Sequence, residues 1–150
     1  MIITKTFENK SVLITGHTGF KGSWLTAWLH WLGANVIGVS LDTPSEPSHF
    51  EVAALKEFVV DNRIDIRDPE ALASVLLDAQ PDFVFHLAAQ PLVRRSYAEP
   101  IETYQTNVLG TVHLLEALRP LKKPCVAVLI TSDKCYDNME WVWGYRETDR

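Results

Sequence analysis

The sequence SVLITGHTGFKGSW at residues 11–24 combines a short apolar run, a glycine-rich turn and the start of a helical pattern. Its VLI segment has the β-branched and aliphatic residues of a buried strand. Gly16, Gly19 and Gly22 follow at intervals of three, between this strand and a helix predicted over residues 20–32. In a βαβ unit, this turn is where the pyrophosphate of a dinucleotide binds, at the N-terminus of the helix.

The apolar pattern alternates between strand and helix along the rest of the chain. Further strands are predicted at residues 35–40, 58–60, 82–87 and 125–130, and helices over residues 50–58 and 101–118. Asp68, followed by Pro69 and Glu70, is the N-cap of another helix that continues to residue 79. Strands this apolar are covered on both faces, so the sequence predicts an α/β fold. We expect a Rossmann-like doubly wound parallel sheet with helices on both faces, incomplete at its C-terminal side.

Two finer structural predictions concern buried residues. An apolar stripe on the first predicted helix is expected to face the sheet. It consists of Trp24, Leu25, Trp28, Leu29 and Leu32. His86 lies inside a hydrophobic strand, and we expect a hydrogen-bonded core residue there.

The composition and net charge of the chain indicate which kind of molecule it binds. The chain has 150 residues, 47% of them hydrophobic, and a formal net charge of −5, which disfavours nucleic acid and anionic lipid and favours a small molecule. Cys125 and Cys135 have neither zinc-site nor disulfide spacing, so reduced thiols and no metal are expected. The chain has no run of about 20 apolar residues and no apolar leader before Ser11, which predicts a cytoplasmic location.

The octet TGHTGFKG at residues 15–22 resembles the glycine motif of the extended short-chain dehydrogenase/reductases, the NAD-dependent epimerase/dehydratase family. The resemblance implies NAD as the cofactor. Its pyrophosphate would lie at Gly16, His17, Gly19, Phe20 and Gly22. Its adenine would contact Asp65 and Ile66, and the dinucleotide would lie over Leu87, Ala88 and Ala89. Asn107 resembles the asparagine that bends the following helix.

Two residues depart from the family pattern around the cofactor. Ser40 stands where NAD-dependent relatives usually carry an acid that holds the adenosine ribose, and Asp42 is a substitute two residues on. Neither Ser40 nor Leu41 is basic, so NAD is predicted over NADP. His17 adds bulk to the glycine loop, and weaker cofactor binding is expected from it.

The segments AAQP (88–91), TNVLGT (106–111) and TSDK (131–134) resemble nucleotide-sugar 4,6-dehydratases. Such enzymes oxidise the sugar 4-OH by hydride transfer to NAD, lose water across C5 and C6, and return the hydride to C6. The resemblance assigns Ser132 to the 4-OH and Asp133 to the acid that releases the 6-OH. Lys134 stands where related dehydratases carry a glutamate as C5 base. We interpret it as an orienting or proton-relaying group, with a direct C5 base as the alternative. The resemblance also implies deoxysugar synthesis for lipopolysaccharide, and a homo-oligomer.

The catalytic Tyr-x-x-x-Lys motif of the family does not occur in these 150 residues. Each tyrosine is followed four places later by a residue other than lysine. The chain is therefore expected to be the N-terminal part of an NAD-binding domain, without the Tyr-x-x-x-Lys region and the substrate domain, and inactive on its own. Fragments of GDP-mannose or dTDP-glucose type dehydratases or epimerases, and a non-catalytic NAD-binding regulator, stay as alternatives.

Overall fold

A computed structural model describes residues 2–132 and 135–150 of the chain. The strands are β1 (Ser11–Thr15), β2 (Asn35–Ser40), β3 (Val59–Arg63), β4 (Phe83–His86) and β5 (Val126–Leu129). The helices are α1 (Ile2–Phe7), α2 (Phe20–Trp31), α3 (His49–Val52), α4 (Pro69–Ala79), α5 (Val93–Ala98), α6 (Pro100–Tyr104) and α7 (Gly110–Leu118). Within the described residues the strands form one parallel sheet in the order β3-β2-β1-β4-β5, which confirms the predicted fold class.

Helices cover both faces of the sheet because successive strand residues point to opposite sides. On one face, Leu13 of β1 belongs to a cluster with Leu76 of α4 and Leu114 of α7. On the other face, Val12 belongs to a cluster with Leu29 of α2. All five side chains are at most 1% exposed, so the core consists of two layers separated by the sheet.

The tryptophans of α2 do not face the sheet, and this part of the predicted stripe is wrong. Leu29 and Leu32 are buried as predicted, but Trp24 and Trp28 are 57% and 50% exposed. The buried residues of α2 are small or aliphatic: Gly22, Ser23, Thr26 and Leu29. Small side chains let the helix lie close to the sheet at its N-terminus, where an indole ring would hold it away. Trp24 stacks instead on His49 of α3, with 4.2 Å between ring centroids.

The helix predicted over residues 101–118 is interrupted. It consists of α6, a π-helical turn at Gln105–Leu109, and α7. Asn107 lies in this turn, and its side chain pairs with the backbone of Gln90. The Asn107 Oδ1 accepts from the Gln90 N–H at 2.7 Å, and its Nδ2 donates to the Gln90 carbonyl at 3.1 Å. The irregular turn therefore lies at the asparagine where a bend was predicted.

Strand β3 is longer than predicted. It continues past residue 60 to Arg63, and Asp61, Asn62 and Arg63 pair with residues 38–40 of β2. The predicted end was wrong because a polar run resembles a loop, whereas an edge strand tolerates polar side chains. The helix predicted over residues 50–58 is α3 followed by a separate 3₁₀ turn at Leu55–Glu57.

The last strand, β5, is partly exposed, and the two cysteines are free thiols. Val126 of β5 is 55% exposed, and neither Cys125 nor Cys135 takes part in a disulfide bond. Among residues 2–132 and 135–150, none of the helices combines the length and the apolar character needed to cross a bilayer.

Candidate nucleotide-binding site

The glycine loop closes tightly between β1 and α2. Gly16 has a φ of 76°, and its N–H donates to the Val39 carbonyl at 2.8 Å. A β-carbon at Gly16 would lie 2.8 Å from the Ala88 nitrogen, and one at Gly22 would overlap the Gly16 carbonyl. Gly16 and Gly22 are therefore required for the fold of the loop itself.

Gly19 differs from these two glycines. It is the N-cap of α2 in an extended conformation (φ −70°, ψ 172°), and a β-carbon there would meet only the Gly16 carbonyl, at 3.3 Å. The missing side chain at Gly19 keeps the N-terminus of α2 open. The first N–H groups of a helix and its dipole attract an anion, so this loop has the form of a phosphate cradle.

His17, in the glycine loop, points its side chain into the core. Its side chain is fully buried, and its ring packs edge-on against Phe50 with 5.2 Å between centroids. The Nε2 atom of His17 lies 2.9 Å from Oδ1 of Asp61, and Nδ1 has no hydrogen-bond partner within the described part of the chain. Burial lowers the pKa of His17 below its ordinary value, and the Asp61 hydrogen bond offsets only part of this effect. The buried imidazole is therefore a neutral packing group, whose bulk points into the fold.

The end of β2 lies beside the loop. The hydroxyl groups of Thr18 and Ser40 are 2.7 Å apart, so Ser40 is already hydrogen-bonded to the glycine loop. The side chain of Asp42 is fully exposed two residues on, with its carboxylate 3.7 Å from the guanidinium of Arg63. Of the two residues predicted at the adenosine ribose, only Asp42 has a carboxylate, and that carboxylate is exposed to solvent.

Arg63 and Asp61 lie beside the candidate site, and the sequence did not indicate them. Arg63 pairs in register with Ser40, and its Nη1 donates to the Leu41 carbonyl at 2.8 Å. Its Nε and Nη2 reach the two oxygens of Asp61 at 2.8 Å and 3.0 Å. Burial acts to raise the pKa of Asp61, but the hydrogen bonds from Arg63 and His17 outweigh it and lower this pKa below its ordinary value. The spacing Asp61-x-Arg63 on one face of a strand was the available signal, and the early predicted end of β3 concealed it.

Asp65 and Ile66 follow β3 at the same edge of the sheet. Arg67 donates through Nε to Oδ1 and Oδ2 of Asp65, at 3.0 Å and 2.9 Å. This hydrogen bonding lowers the pKa of Asp65 below its ordinary value. Ile66 is buried against Gly110, and its carbonyl lies 3.1 Å from Nδ1 of His113.

Beside Asp65 and Ile66 is an open pocket of about 210 Å³. It is lined by Arg67, Gln105, Leu109 and His113.

His86 connects β4 to its neighbours. Its Nδ1 lies 2.6 Å from the Thr15 hydroxyl, and its Nε2 lies 3.1 Å from the Thr111 hydroxyl. The residue is 3% exposed, which confirms the predicted core position, and burial lowers its pKa below the ordinary value. The Thr15 hydroxyl also accepts the N–H groups of Leu87 and Ala88, at 3.2 Å and 3.1 Å. This contact fixes the start of the Leu87–Ala89 segment against the glycine loop.

The structure thus brings the predicted cofactor residues together at one edge. Most of them lie at or just beyond the carboxyl ends of neighbouring parallel strands, where open α/β sheets bind their ligands, and Asn107 lies in the π-helical turn. Ser132 follows β5 at this same edge. The other two predicted catalytic residues, Asp133 and Lys134, lie outside the described residues.

The comparisons with known proteins agree with this geometry. A model of the GDP-mannose 4,6 dehydratase family matches residues 13–149. CDP-glucose 4,6-dehydratase of Salmonella typhimurium is 54% identical over 149 residues, which are 99% of this chain and 42% of that protein.

Two solved structures share the fold. Epimerase Mth375 from Methanothermobacter thermautotrophicus matches with a TM-score of 0.82 and 29% identity, over 99% of this chain and 43% of that one. UDP-glucose-4-epimerase from Stenotrophomonas maltophila, with bound NAD and formylated UDP-arabinopyranose, matches with a TM-score of 0.77 and 27% identity. That match covers 89% of this chain and 40% of that one. The chain therefore spans less than half the length of each of these three relatives.

Proposed function

Since the chain belongs to the GDP-mannose 4,6 dehydratase family, we propose that it is the NAD-binding part of a nucleotide-sugar 4,6-dehydratase that acts on CDP-glucose. The observation that carries the proposal is the glycine loop. Gly16 and Gly22 have no room for a β-carbon, while the open side of Gly19 leaves the helix N-terminus accessible. A backbone packed this closely against β4 and α2 fits a dinucleotide pyrophosphate.

The residues that would hold NAD extend from this loop along the sheet edge. The backbone at Gly16, Gly19 and Phe20 would line the pyrophosphate site, with Gly22 and His17 supporting the loop. Asp42, beside Ser40, would accept hydrogen bonds from the adenosine ribose. Asp65 and Ile66 would border the adenine. The dinucleotide would cross the small side chains of Ala88 and Ala89, and Asn107 would position that segment through Gln90.

The proposed reaction converts CDP-glucose to CDP-4-keto-6-deoxyglucose. Bound NAD would supply a reversible hydride acceptor. Ser132 would hold the sugar 4-OH, and Asp133 would protonate the departing 6-OH so that it leaves as water. Lys134 would orient the substrate or relay a proton. These three roles come from the family resemblance, and they require a tyrosine base that residues 1–150 do not supply in a Tyr-x-x-x-Lys motif.

The cytidine nucleotide and the 6-deoxysugar product are proposed from the relatives. The Salmonella protein that shares 54% identity is named for CDP-glucose. The motifs GHTGFKGSW (16–24), SDKCYDN (132–138) and WVWGY (141–145) also resemble CDP-glucose 4,6-dehydratase. A homo-oligomer, a cytoplasmic location and a separate C-terminal substrate domain complete the proposal.

A hybrid protein tests the proposed function. In the Salmonella enzyme, the segment that matches this chain is replaced by residues 1–150, which leaves the remainder of that enzyme to complete the fold. We expect the hybrid to bind NAD and to convert CDP-glucose, followed by NMR of the sugar product. The matched control is the same hybrid carrying Ser132→Ala, which should bind NAD equally well and lose most of its turnover.

Other outcomes contradict the proposal. A folded hybrid that binds NAD but does not convert CDP-glucose would favour the non-catalytic regulator. Preferred turnover of GDP-mannose or dTDP-glucose would favour a dehydratase of that type. A folded hybrid that does not bind NAD would overturn the assignment of the glycine loop.

A further inference from the structure

A positively charged side chain lies at the end of β2, although it belongs to the neighbouring strand β3. Arg63, on the neighbouring strand, pairs in register with Ser40 and donates to the Leu41 carbonyl. Its side chain is 34% exposed and lies next to Asp42. In dinucleotide-binding folds the adenosine ribose lies at the end of this strand, and an arginine there is the usual partner of a 2′-phosphate. The lack of a basic residue at Ser40 or Leu41 therefore does not by itself explain a preference for NAD.

The guanidinium of Arg63 is already neutralised. Its Nη2 donates to Oδ2 of Asp61 at 3.0 Å, and its Nε lies 2.8 Å from Oδ1, so the guanidinium faces the carboxylate with two nitrogens. The Asp61 side chain is only 8% exposed, and it is also held by His17. Asp42 approaches the same guanidinium from the solvent side. The carboxylates of Asp61 and Asp42 thus lie on either side of one guanidinium. His17 is neutral and adds no charge, so the cluster of these four side chains has a net negative charge.

We propose that Arg63 determines whether the cofactor site accepts a 2′-phosphate, and that Asp61 and Asp42 together hold it in the arrangement that favours NAD. This inference rests on the proposed cofactor function. A 2′-phosphate would have to displace a carboxylate from Arg63 and would be repelled by the net negative cluster. A free ribose hydroxyl instead donates to the exposed carboxylate of Asp42, which lies 3.7 Å from the Arg63 guanidinium.

His17 contributes through Asp61. Its Nε2–H occupies Oδ1 of Asp61 from the buried side, which leaves the carboxylate pointing toward Arg63. The ring of His17 cannot move toward β2 because it lies directly over Gly38. His17 is therefore a positioning residue for the charge cluster, one step removed from any ligand.

Binding of two matched ligands tests the inference. ADP-ribose and 2′-phospho-ADP-ribose differ only in the phosphate, and their dissociation constants are measured by calorimetry with the whole 150-residue chain and with the hybrid protein. The unmodified protein should bind ADP-ribose more tightly. Asp42→Asn and Asp61→Asn should each shift the ratio of the two constants toward the phosphorylated ligand, by about fivefold. The double variant should shift it by about tenfold or more.

Control variants separate this effect from a general change of charge. Asp78→Asn removes a carboxylate from the end of α4, remote from the ribose end of the site, and should leave the ratio unchanged. Arg63→Gln added to the double variant should abolish the gain, because no cation then remains for the phosphate. Circular dichroism checks that each variant keeps its fold.

Two results would overturn the inference. One is an unchanged ratio in the folded Asp42→Asn/Asp61→Asn variant. The other is a gain that persists after Arg63→Gln. Failure of both the chain and the folded hybrid to bind either ligand is a distinct result, because it removes the proposed cofactor function and this inference with it.

Discussion

The imidazole of His17 occupies the space that a side chain at Gly38 would need. A β-carbon built on Gly38 overlaps the Cγ and Cδ2 atoms of His17, so these two residues fit only as a pair. Gly38 lies in the middle of β2, where glycine is otherwise unfavourable. The close contact explains its presence there and connects the glycine loop to the second strand.

Gly38→Ala should therefore destabilise the fold and disturb the His17–Asp61 hydrogen bond. Forcing a methyl group into a packed core typically costs about 1–3 kcal/mol. In a double-mutant cycle measured by urea unfolding, the same substitution should cost much less in a His17→Ala background. Equal costs in the two backgrounds would show that the ring and the glycine are not coupled.

Gly19→Val should separate ligand binding from folding. A β-carbon at Gly19, where the backbone is extended, needs only a small adjustment of the Gly16 carbonyl 3.3 Å away, but the valine methyl groups would crowd an anion at the start of α2. We expect the affinity for ADP-ribose to fall by about tenfold or more with little change in unfolding free energy. Gly144→Val is the matched control, since nothing lies within 4 Å of a β-carbon there. Equal affinities of the two folded variants would contradict the phosphate cradle.

Stability should decrease in mild acid because of the buried histidines. Burial lowers the folded-state pKa of His17 and His86 below the ordinary value of 6.5. The unfolded chain therefore binds protons that the folded chain does not, and this contribution to stability is complete above pH 6.5 and is lost progressively below it. Each histidine adds a slope of at most about 1.4 kcal/mol per pH unit.

Urea unfolding between pH 7.5 and pH 5 measures this slope. His86→Asn should make the pH dependence shallower, whatever its effect on stability at neutral pH. A slope that is the same in the protein and in His86→Asn would contradict the neutral, buried state of His86.

The proposed acid and its neighbour can be distinguished in the hybrid protein. Asp133→Asn should slow water loss by about 10²–10⁴-fold while affecting 4-OH oxidation far less, as measured in single-turnover experiments. Lys134→Met should retain exchange of the C5 hydrogen with deuterated solvent if the lysine orients the substrate or relays a proton. Complete loss of that exchange with intact hydride transfer would make Lys134 the C5 base instead.

Local patterns were sufficient to predict the central part of the fold. The Gly16–Gly22 turn, the cap at Asp68 and strand β2 depend on neighbouring residues, and each was located correctly. The carboxylate of Asp68 accepts the N–H groups of Glu70 and Ala71, as the sequence pattern predicted. Contacts of this kind span a few residues, so their signal is contiguous in the chain.

Long-range pairing explains what the sequence did not reveal. Arg63 reaches the ribose end of the site only because β3 lies beside β2, and its polar neighbours concealed that strand. Trp24 and Trp28 are apolar at helical spacing, yet the face of α2 toward the sheet is selected by small size at Gly22 and Ser23. Hydrophobicity alone does not measure how closely two elements must approach.

The row of side chains from Thr15 through His86 to Thr111 has a direction. The Thr111 hydroxyl donates its hydrogen to the Asn107 carbonyl, so it must accept from Nε2 of His86. The neutral ring then has only a lone pair at Nδ1, which takes the Thr15 hydrogen. Each side chain in the row therefore donates to the next one, from Thr15 in the sheet to the Asn107 carbonyl in the π-helical turn. Replacing any of the three side chains by one that lacks its hydrogen-bonding group leaves a buried neighbour without a partner, so the three positions depend on one another.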